Sequence, residues 1–244
     1  MRSVDPAYLC PPTEFVLSQH DVHVWQVNLN VPTPQHRSLE TLLSPDECQR
    51  AERYRFDRDR NWFVVGRATL RTILSEYLGT DPRELQFAAG SHGKPSLATT
   101  SVGGMLQFNL SHSHDKALYA IALGREVGID LECIRPVEAE KLAQRFFSDR
   151  EYQTLASLSP EQQQRQFFQY WTCKEAYLKA TGDGLTQLQQ VEIALDPPHI
   201  HSIDDNPFLA SRWSLQPLDC GSDYAAALVV EGRGMRLSVG RWEG

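Results

Sequence analysis

The spacing of apolar residues predicts a strand and a long helix in the first half of the chain. A strand is expected near residue 22, where apolar side chains cluster at Val22, Val24, Trp25 and Val27. A helix is expected over residues 59–78, where apolar side chains recur at helical spacing at Phe63, Leu70, Ile73, Leu74 and Tyr77. Gly79 follows and predicts the end of this helix.

The rest of the chain alternates between short apolar runs and capped helices. Three runs predict strands over residues 106–110, 117–123 and 127–133, with a turn rich in Ser and His after the first. Capping boxes, in which Glu or Gln follows Ser by three residues, occur at Ser44, Ser148 and Ser159. The last box opens the longest predicted helix, residues 160–180, which Gly182 ends. From residue 191 onwards, strand-like segments alternate with Pro-rich turns.

The order helix, strand, strand occurs twice, which predicts an α+β fold built from two halves of nearly equal size. The boundary is expected between residues 123 and 126. A chain of 244 residues is long enough for each half to close its own core. We therefore expect an N-terminal half over residues 1–125 and a C-terminal half over residues 126–244.

Composition places the chain among ordinary globular proteins, with 41% hydrophobic and 23% charged residues. Its net charge of -7 argues against general nucleic-acid binding, which needs clustered Lys and Arg. Arginine is nevertheless concentrated over residues 50–71, where seven arginines stand against three acids. This local excess suits a small polyanion or marks a solvated helix face, and charge spacing alone does not decide between them.

The five cysteines are odd in number, widely scattered and without a C-x-x-C pair. This pattern argues against a disulfide framework and against a structural zinc site. The first six residues lack the apolar run of a signal peptide, and no apolar stretch approaches the ~18 residues of a membrane span. These features predict a cytoplasmic protein that does not act at a membrane.

The strongest chemical signal is the pair of acids in the strand predicted over residues 127–133. Because side chains alternate along a strand, Asp130 and Glu132 point to one face while Ile129 and Leu131 point to the other. Two neighbouring carboxylates repel each other unless a cation lies between them, and hard oxygen ligands suit Mg²⁺. The alternative is an ordinary strand with a solvent-facing edge.

A second signal lies in the longest predicted helix, where Glu175 and Lys179 are one turn apart and Lys174 is adjacent. Taken alone, Glu175 and Lys179 form a surface pair worth a few tenths of a kcal/mol. If the helix instead meets the strand acids in space, Glu175 becomes a third metal ligand or a general base. Lys179 would then balance phosphate charge.

A third signal combines a loop predicted over residues 90–95 with the end of a strand. Gly93 permits close backbone approach to a ligand, Lys94 supplies a charge, and Ser111 and His112 could donate to a phosphate. A phosphate-binding P-loop is excluded, because Ala88 stands where its first Gly is needed and Pro95 follows the lysine. A zinc site at the H-x-H of residues 112–114 is disfavoured, since no third soft ligand is near, and the same applies at residues 199–201.

Together these segments resemble the 4′-phosphopantetheinyl transferases of the monomeric, surfactin-synthetase-activating (Sfp-like) type. Five motifs carry the resemblance in the family's order: GKP at residues 93–95, FNLSH at 108–112, VGIDLE at 127–132, RFFS at 145–148 and WTCKEAYLK at 171–179. Each motif is weak alone, whereas five in order at family-like spacing are specific. The resemblance covers about residues 44–185.

The resemblance implies two similar α+β halves related by a pseudo-twofold axis, with coenzyme A as co-substrate in the cleft between them. It implies that Asp130, Glu132 and Glu175 hold Mg²⁺, with Glu132 the most dispensable of the three. Glu175 and Lys179 would be the catalytic residues. The reaction would transfer 4′-phosphopantetheine to a carrier serine and release adenosine 3′,5′-bisphosphate, with Glu175 as candidate base.

The same resemblance implies a set of coenzyme A contacts. Lys174 and Lys179 would approach the diphosphate, and Ser111 and His112 would contact phosphates. Lys94 and Pro95 would frame the nucleotide. Arg58 matches, through a looser motif, a basic position that grips the terminal nucleotide phosphate.

The implied partner is an acyl or peptidyl carrier domain, and the implied state is a monomer. Carrier domains are usually acidic, so docking would use local apolar or basic surface. Phe146, Phe147 and the segment up to Leu158 could supply that surface, or the two Phe could be core. Rival hypotheses are a Mg²⁺-dependent nucleotide hydrolase, a non-catalytic coenzyme A binder and a scaffold. The fatty-acid, polyketide or non-ribosomal-peptide identity of the carrier is left open.

Overall fold

A computed structural model describes residues 15–89, 94–98 and 105–243 and confirms a mixed α+β fold. Of the loop predicted over residues 90–95, residues 90–93, including Gly93, lie outside the described residues, and the prediction was wrong at Pro95, which begins a strand because it pairs with Ala89. Within them the helices are α1 Thr33–Glu40, α2 Pro45–Glu52, α3 Asp57–Leu78, α4 Ala139–Phe146, α5 Asp149–Ala156, α6 Pro160–Thr181 and α7 Pro207–Ala210. The strands are β1 Asp21–Asn28, β2 Phe87–Ala89, β3 Pro95–Leu97, β4 Leu106–Ser113, β5 Lys116–Leu123, β6 Val127–Cys133, β7 Val191–Leu195, β8 Pro198–Ile203, β9 Trp213–Pro217, β10 Tyr224–Glu231 and β11 Arg236–Arg241.

Helix boundaries follow the capping signals. Capping boxes are present at all three predicted positions, Ser44, Ser148 and Ser159. Helices α3 and α6 end at Gly79 and Gly182, whose φ angles of 63° and 79° favour glycine over residues with a Cβ. Helix α3 begins at Asp57 rather than at the predicted residue 59.

The turn predicted directly after residue 110 was wrong, because β4 continues to Ser113. Its last residues remain extended since they pair with β5, ending with Ser113 opposite Lys116. The turn follows at His114, which has a φ of 52°. Ser111 and His112 are therefore held on a strand.

The element order repeats, although each unit begins with a strand rather than with the predicted helix. Each half runs strand, helices ending in a 22-residue helix, hairpin, strand and strand. The resulting sheets have matching orders, β1-β5-β4 and β6-β10-β9. Strand β11 joins the first sheet by pairing parallel to β1. The pseudo-twofold axis itself stays a prediction.

The two sheets pack face to face, and each carries its long helix on the outer face. Inner-face residues such as Val22, Val24, Val127 and Ile129 share one buried cluster. Trp25 and Val27, on the other face of β1, pack in the cluster that contains residues of α3. Val22 pairs with Ala122, and Val127 pairs with Val230, near the ends of equivalent strands. When Val22 is aligned with Val127, Trp25 and Val27 of β1 occupy the positions that correspond to Asp130 and Glu132 of β6.

Each long helix is anchored by a buried ion pair to the capping box before it. In the first half, Nε of Arg71 lies 2.8 Å from Glu47, and Nη1 donates to the carbonyls of Pro82 and Leu85. Glu47 also accepts from the backbone N–H of Ser44 at 3.0 Å. The arginine thereby ties α3 both to the start of α2 and to the segment that follows α3.

The second half repeats this anchor with a lysine. Nζ of Lys174 lies 2.7 Å from Glu151 and donates to the carbonyls of Leu188 and Val191. Glu151 is the capping-box acid of Ser148. Arg71 and Lys174 both stand fourteen residues after the first residue of their helix. Equivalent positions in the two halves thus perform the same packing role.

Candidate active site

Three of the predicted site residues, Ser111, Asp130 and Lys179, meet at the seam between the two sheets, where β4 lies beside β6. Asp130 is 4% exposed. Its Oδ1 accepts from Oγ of Ser111 at 2.9 Å and from Nζ of Lys179 at 2.6 Å. Nζ of Lys179 also donates to Oγ of Ser111 at 2.9 Å. One residue from each of β4, β6 and α6 therefore meets at a single point.

Gly128 explains how α6 comes so close to β6. A Cβ at this position would lie 2.0 Å from the carbonyl oxygen of Ala176 and 2.4 Å from the backbone nitrogen of Ala180. Only a residue without a side chain permits this approach, because the obstructing atoms are backbone. The glycine of the VGIDLE motif thus brings the helix that carries Glu175 and Lys179 against the strand that carries Asp130.

The carboxylates of this seam perturb one another. Burial and then the Asp130 charge raise the pKa of Glu175 to about 7, although the Lys179 charge opposes the rise. Burial and then the Asp130 charge also raise the pKa of Glu132, although Arg135 lowers it. Oε2 of Glu132 accepts from Ser113 at 3.2 Å and from Arg135 at 3.4 Å. Glu132 and Glu175 thus share a partly buried region with Asp130, whose charge disfavours the ionisation of both glutamates.

The donor chemistry of this region suits a hard divalent cation, although the acids do not form a closed cage. Among residues 15–89, 94–98 and 105–243, no group of three or more His, Cys, Asp or Glu side chains is arranged to hold a metal ion. Mg²⁺ needs only one or two carboxylates, because waters and substrate phosphate complete its shell. Oδ2 of Asp130 is buried without a hydrogen-bond partner in the described structure, which leaves an oxygen available.

A cavity of about 460 Å³ opens beside this cluster. Four of the predicted residues line it: Pro95, Ser111, His112 and Lys179. Burial lowers the pKa of His112, and the Lys179 charge adds to the effect, so the imidazole is neutral near pH 7. The cavity therefore combines a cation, a neutral donor and a hydroxyl on one wall.

Sequence reasoning missed two arginines that line the same cavity, Arg50 and Arg67. Nε of Arg67 lies 3.4 Å from Glu47, which Arg71 also engages, and its Nη1 is buried without a partner among the described atoms. Burial lowers the pKa of Arg67, and the Arg50 and Arg71 charges contribute. The cavity lining holds three cations, Arg50, Arg67 and Lys179, against two acids, Asp46 and Glu47, so its net charge favours an anion. The concentration of arginine over residues 50–71 was the available signal.

Arg58, which the resemblance places at the terminal nucleotide phosphate, does not line this cavity within the described structure. Its side chain is 69% exposed, pairs with Asp59 at 3.2 Å and lies over the ring of Trp62. The arginine run is thus divided: some members line the cavity, whereas Arg58 lies on the solvated face of α3.

Lys174 requires a correction. The prediction that it approaches a diphosphate conflicts with its burial, since its side chain is 0% exposed and its Nζ contacts Glu151 and two backbone carbonyls. Consecutive helical residues point about 100° apart, so Lys174 cannot share the direction of Glu175. It is a packing residue of the C-terminal half.

The structure also gives the surroundings of Lys94 and of the two phenylalanines. The Lys94 ammonium donates to Glu126 and to the carbonyl of Ala180, both at 3.0 Å, which links β3 to the end of α6. Its contact with a ligand stays a prediction. Phe147 is 3% exposed and stacks on Phe167, so it belongs to the core. Phe146 is half-buried against Trp171.

Comparison with known proteins matches both halves of the chain to one family. Residues 126–229 match the family model of the 4′-phosphopantetheinyl transferase superfamily. Residues 31–124 match the model of the 4′-phosphopantetheinyl transferase N-terminal region. The chain is 45% identical over 228 residues to the 4′-phosphopantetheinyl transferase HetI of Nostoc sp., covering 93% of this chain and 94% of that protein.

The chain also has more distant similarities. The 4′-phosphopantetheinyl transferase Sfp of Bacillus subtilis is 28% identical, over 67% of this chain and 71% of its own length. Among solved structures, a holo-(acyl-carrier-protein) synthase from Bacillus anthracis in complex with CoA (3′,5′-ADP) is 20% identical. It covers 44% of this chain and 96% of its own, with a TM-score of 0.37.

Proposed function

Because this chain belongs to the 4′-phosphopantetheinyl transferase superfamily, we propose that it transfers 4′-phosphopantetheine from coenzyme A to a serine of an apo carrier protein. Adenosine 3′,5′-bisphosphate would be released. The observation that carries the proposal is the meeting of Asp130, Lys179 and Ser111 beside an arginine-lined cavity. A diphosphate needs this combination of cations and an acid that accepts a metal.

Mg²⁺ would be held by Asp130 and Glu175, with Glu132 as a further ligand. The support is the unpartnered Oδ2 of Asp130 and the raised pKa values of both glutamates. When bound, the ion would neutralise charge on the diphosphate oxygens. A nearby cation favours the ionised form of acids that repel one another. Binding of Mg²⁺ would therefore stabilise these carboxylates in their ionised form.

The protein's own groups would orient the co-substrate and accept the serine proton. Lys179 and the neutral His112 can donate to phosphate oxygens from the cavity wall, and Pro95 can border the nucleotide. Glu175 is the candidate base, because a carboxylate whose pKa is about 7 accepts a proton more readily than an ordinary one. Serine would lose its proton to this carboxylate directly or through one water.

A testable prediction concerns the arginines that line the cavity. Arg67→Gln should raise the KM for coenzyme A by roughly tenfold or more, because a hydrogen bond to a charged group contributes about 1.5–3 kcal/mol. Steady-state kinetics at saturating carrier would measure this. Arg58→Gln is the matched control and should change KM less than twofold, roughly the effect of an exposed ion pair. Equal effects of both substitutions would contradict the assignment.

In this proposal the N-terminal half, residues 1–125, supplies the nucleotide side, and residues 126–244 supply the metal site. A single chain carries both halves, which supports a monomer. The described cysteines are all free, which supports a reducing, cytoplasmic location. No described helix is long and apolar enough to cross a membrane.

Carrier docking near α4 would rely on exposed Lys141 and Arg145 rather than on Phe147.

The direct test is incubation of the protein with apo acyl carrier protein, coenzyme A and Mg²⁺, followed by mass spectrometry. We expect the carrier to gain one phosphopantetheine and adenosine 3′,5′-bisphosphate to appear in equal amount. The Asp130→Asn variant should abolish both signals. Nucleotide release without carrier modification would favour a hydrolase, and tight coenzyme A binding without turnover across several carriers would favour a non-catalytic binder.

A further inference from the structure

Alternate side chains of β4 reach across the seam and bind the backbone and acids of β6. Oδ1 of Asn109 accepts from the N–H of Ile129 at 2.9 Å, and Oγ of Ser111 donates to Asp130 at 2.9 Å. The two strands belong to different sheets, so these side chains connect them. They flank the acid pair of β6.

Ser113 makes the last of these contacts, and its hydroxyl forms hydrogen bonds with two groups at once. Its Oγ accepts from the N–H of Cys133 at 3.0 Å and donates to Oε2 of Glu132 at 3.2 Å. Because the acceptor side of the hydroxyl is occupied by a backbone N–H, its proton is directed toward the glutamate. Ser113 therefore orients Glu132 from a fixed point of the backbone.

Glu132 has a second partner, which would be its remaining described contact if the Ser113 hydroxyl were lost. Arg135 lies 3.4 Å from the same oxygen, and its side chain is 54% exposed. An exposed ion pair holds its partners weakly and in several geometries. Without the Ser113 hydroxyl, repulsion from Asp130 would favour rotation of Glu132 toward Arg135 and solvent.

We propose that Ser113 is a positioning residue that keeps Glu132 directed into the seam, where it can act as a ligand for a divalent cation. This inference rests on the proposed function, because it assumes that the seam acids bind a metal. Groups that orient metal ligands typically affect metal affinity by 10–100-fold when removed. Ser113 thus determines whether the second acid of the VGIDLE motif contributes to the site.

The test compares Mn²⁺ binding to the intact protein, measured by electron paramagnetic resonance in the presence of coenzyme A. Ser113→Ala should weaken Mn²⁺ binding by about tenfold with an unchanged KM for coenzyme A. It should also lower the melting temperature, because the N–H of Cys133 loses its acceptor. Ser113→Thr, which retains the hydroxyl, should restore binding. Ser157→Ala removes an exposed hydroxyl that donates to the Thr154 carbonyl, and this control should leave Mn²⁺ affinity unaltered.

Three results separate the possibilities. Wild-type affinity in Ser113→Ala would overturn the inference and leave the proposed function intact. A lowered melting temperature together with unchanged Mn²⁺ affinity would show that Ser113 only fastens the strands, and it too would overturn the inference. If the wild-type protein did not bind Mn²⁺, the metal site of the proposed function would be contradicted, and the inference about Ser113 would fail with it. If Ser113→Ala does not fold, Ser113→Cys keeps the volume with a weaker donor and should show the same loss.

Discussion

Glu175→Gln should reduce the rate of carrier modification by about 10²–10⁴-fold at saturating Mg²⁺, the usual contribution of a general base. The substitution preserves shape but removes both the charge and the basic oxygen. Glu161→Gln, on the exposed first turn of the same helix, is the matched control and should retain normal turnover. Near-normal turnover of Glu175→Gln would exclude this residue as base and as essential ligand.

The same carboxyl should govern the pH dependence. Its pKa of about 7 means that it is largely protonated at pH 6 and largely ionised at pH 8. Both proposed roles require the ionised form, so activity should rise as the pH increases through 7. Metal binding must displace the proton, and the Mg²⁺ concentration for half-maximal activity should therefore increase by up to about tenfold per pH unit below 7. A flat profile between pH 6 and 8 would contradict this assignment.

Lys174→Met should lower the free energy of unfolding by about 3–5 kcal/mol, because it leaves the Glu151 carboxylate buried without its cation. Burial lowers the pKa of Lys174 and the Glu151 charge opposes this, as expected for a pair removed from water. Urea denaturation would measure the loss. The double variant Glu151→Met with Lys174→Met should recover much of it, since no isolated charge remains.

Lys179→Met is the matched comparison on the same helix. Its side chain is 30% exposed, whereas that of Lys174 is fully buried, so we expect a smaller loss of stability than for Lys174→Met, together with a large loss of turnover. Lys174→Met should show the reverse, with turnover close to normal in the folded fraction. If Lys174→Met were fully stable yet inactive, the original prediction of a diphosphate contact would be restored.

Local signals in the sequence were sufficient for helices α2, α3, α5 and α6 and for the acid pair, whereas α1 and α7 were not predicted. Capping boxes at Ser44, Ser148 and Ser159 mark helix starts, because their hydrogen bonds involve only neighbouring residues. The alternation of Asp130 with Ile129 and Leu131 correctly assigned the two faces of β6, since period 2 is a property of any strand. Such inferences need no knowledge of tertiary contacts.

The sequence does contain a signal that Lys174 is buried, although the prediction of a diphosphate contact did not use it. Residues 167, 171, 174 and 178 follow the 4-3-4 spacing of one helical face, and the other three are apolar. Lys174 therefore stands within the apolar stripe, where a lysine must be buried and paired. The choice of Arg58 over Arg50 or Arg67 could not be decided from the sequence, because cavity lining depends on how α2, α3 and β4 pack.

The pairing of β11 with β1 has a consequence for stoichiometry. In the repeated topology, the flank of β1 corresponds to the seam beside β6, but β11 occupies it, and Trp25 and Val27 replace the acid pair. The repeated topology therefore provides one cleft with an acid pair instead of two. Each polypeptide should saturate with a single coenzyme A along a simple hyperbolic isotherm, because no twin site exists within the described chain to communicate with.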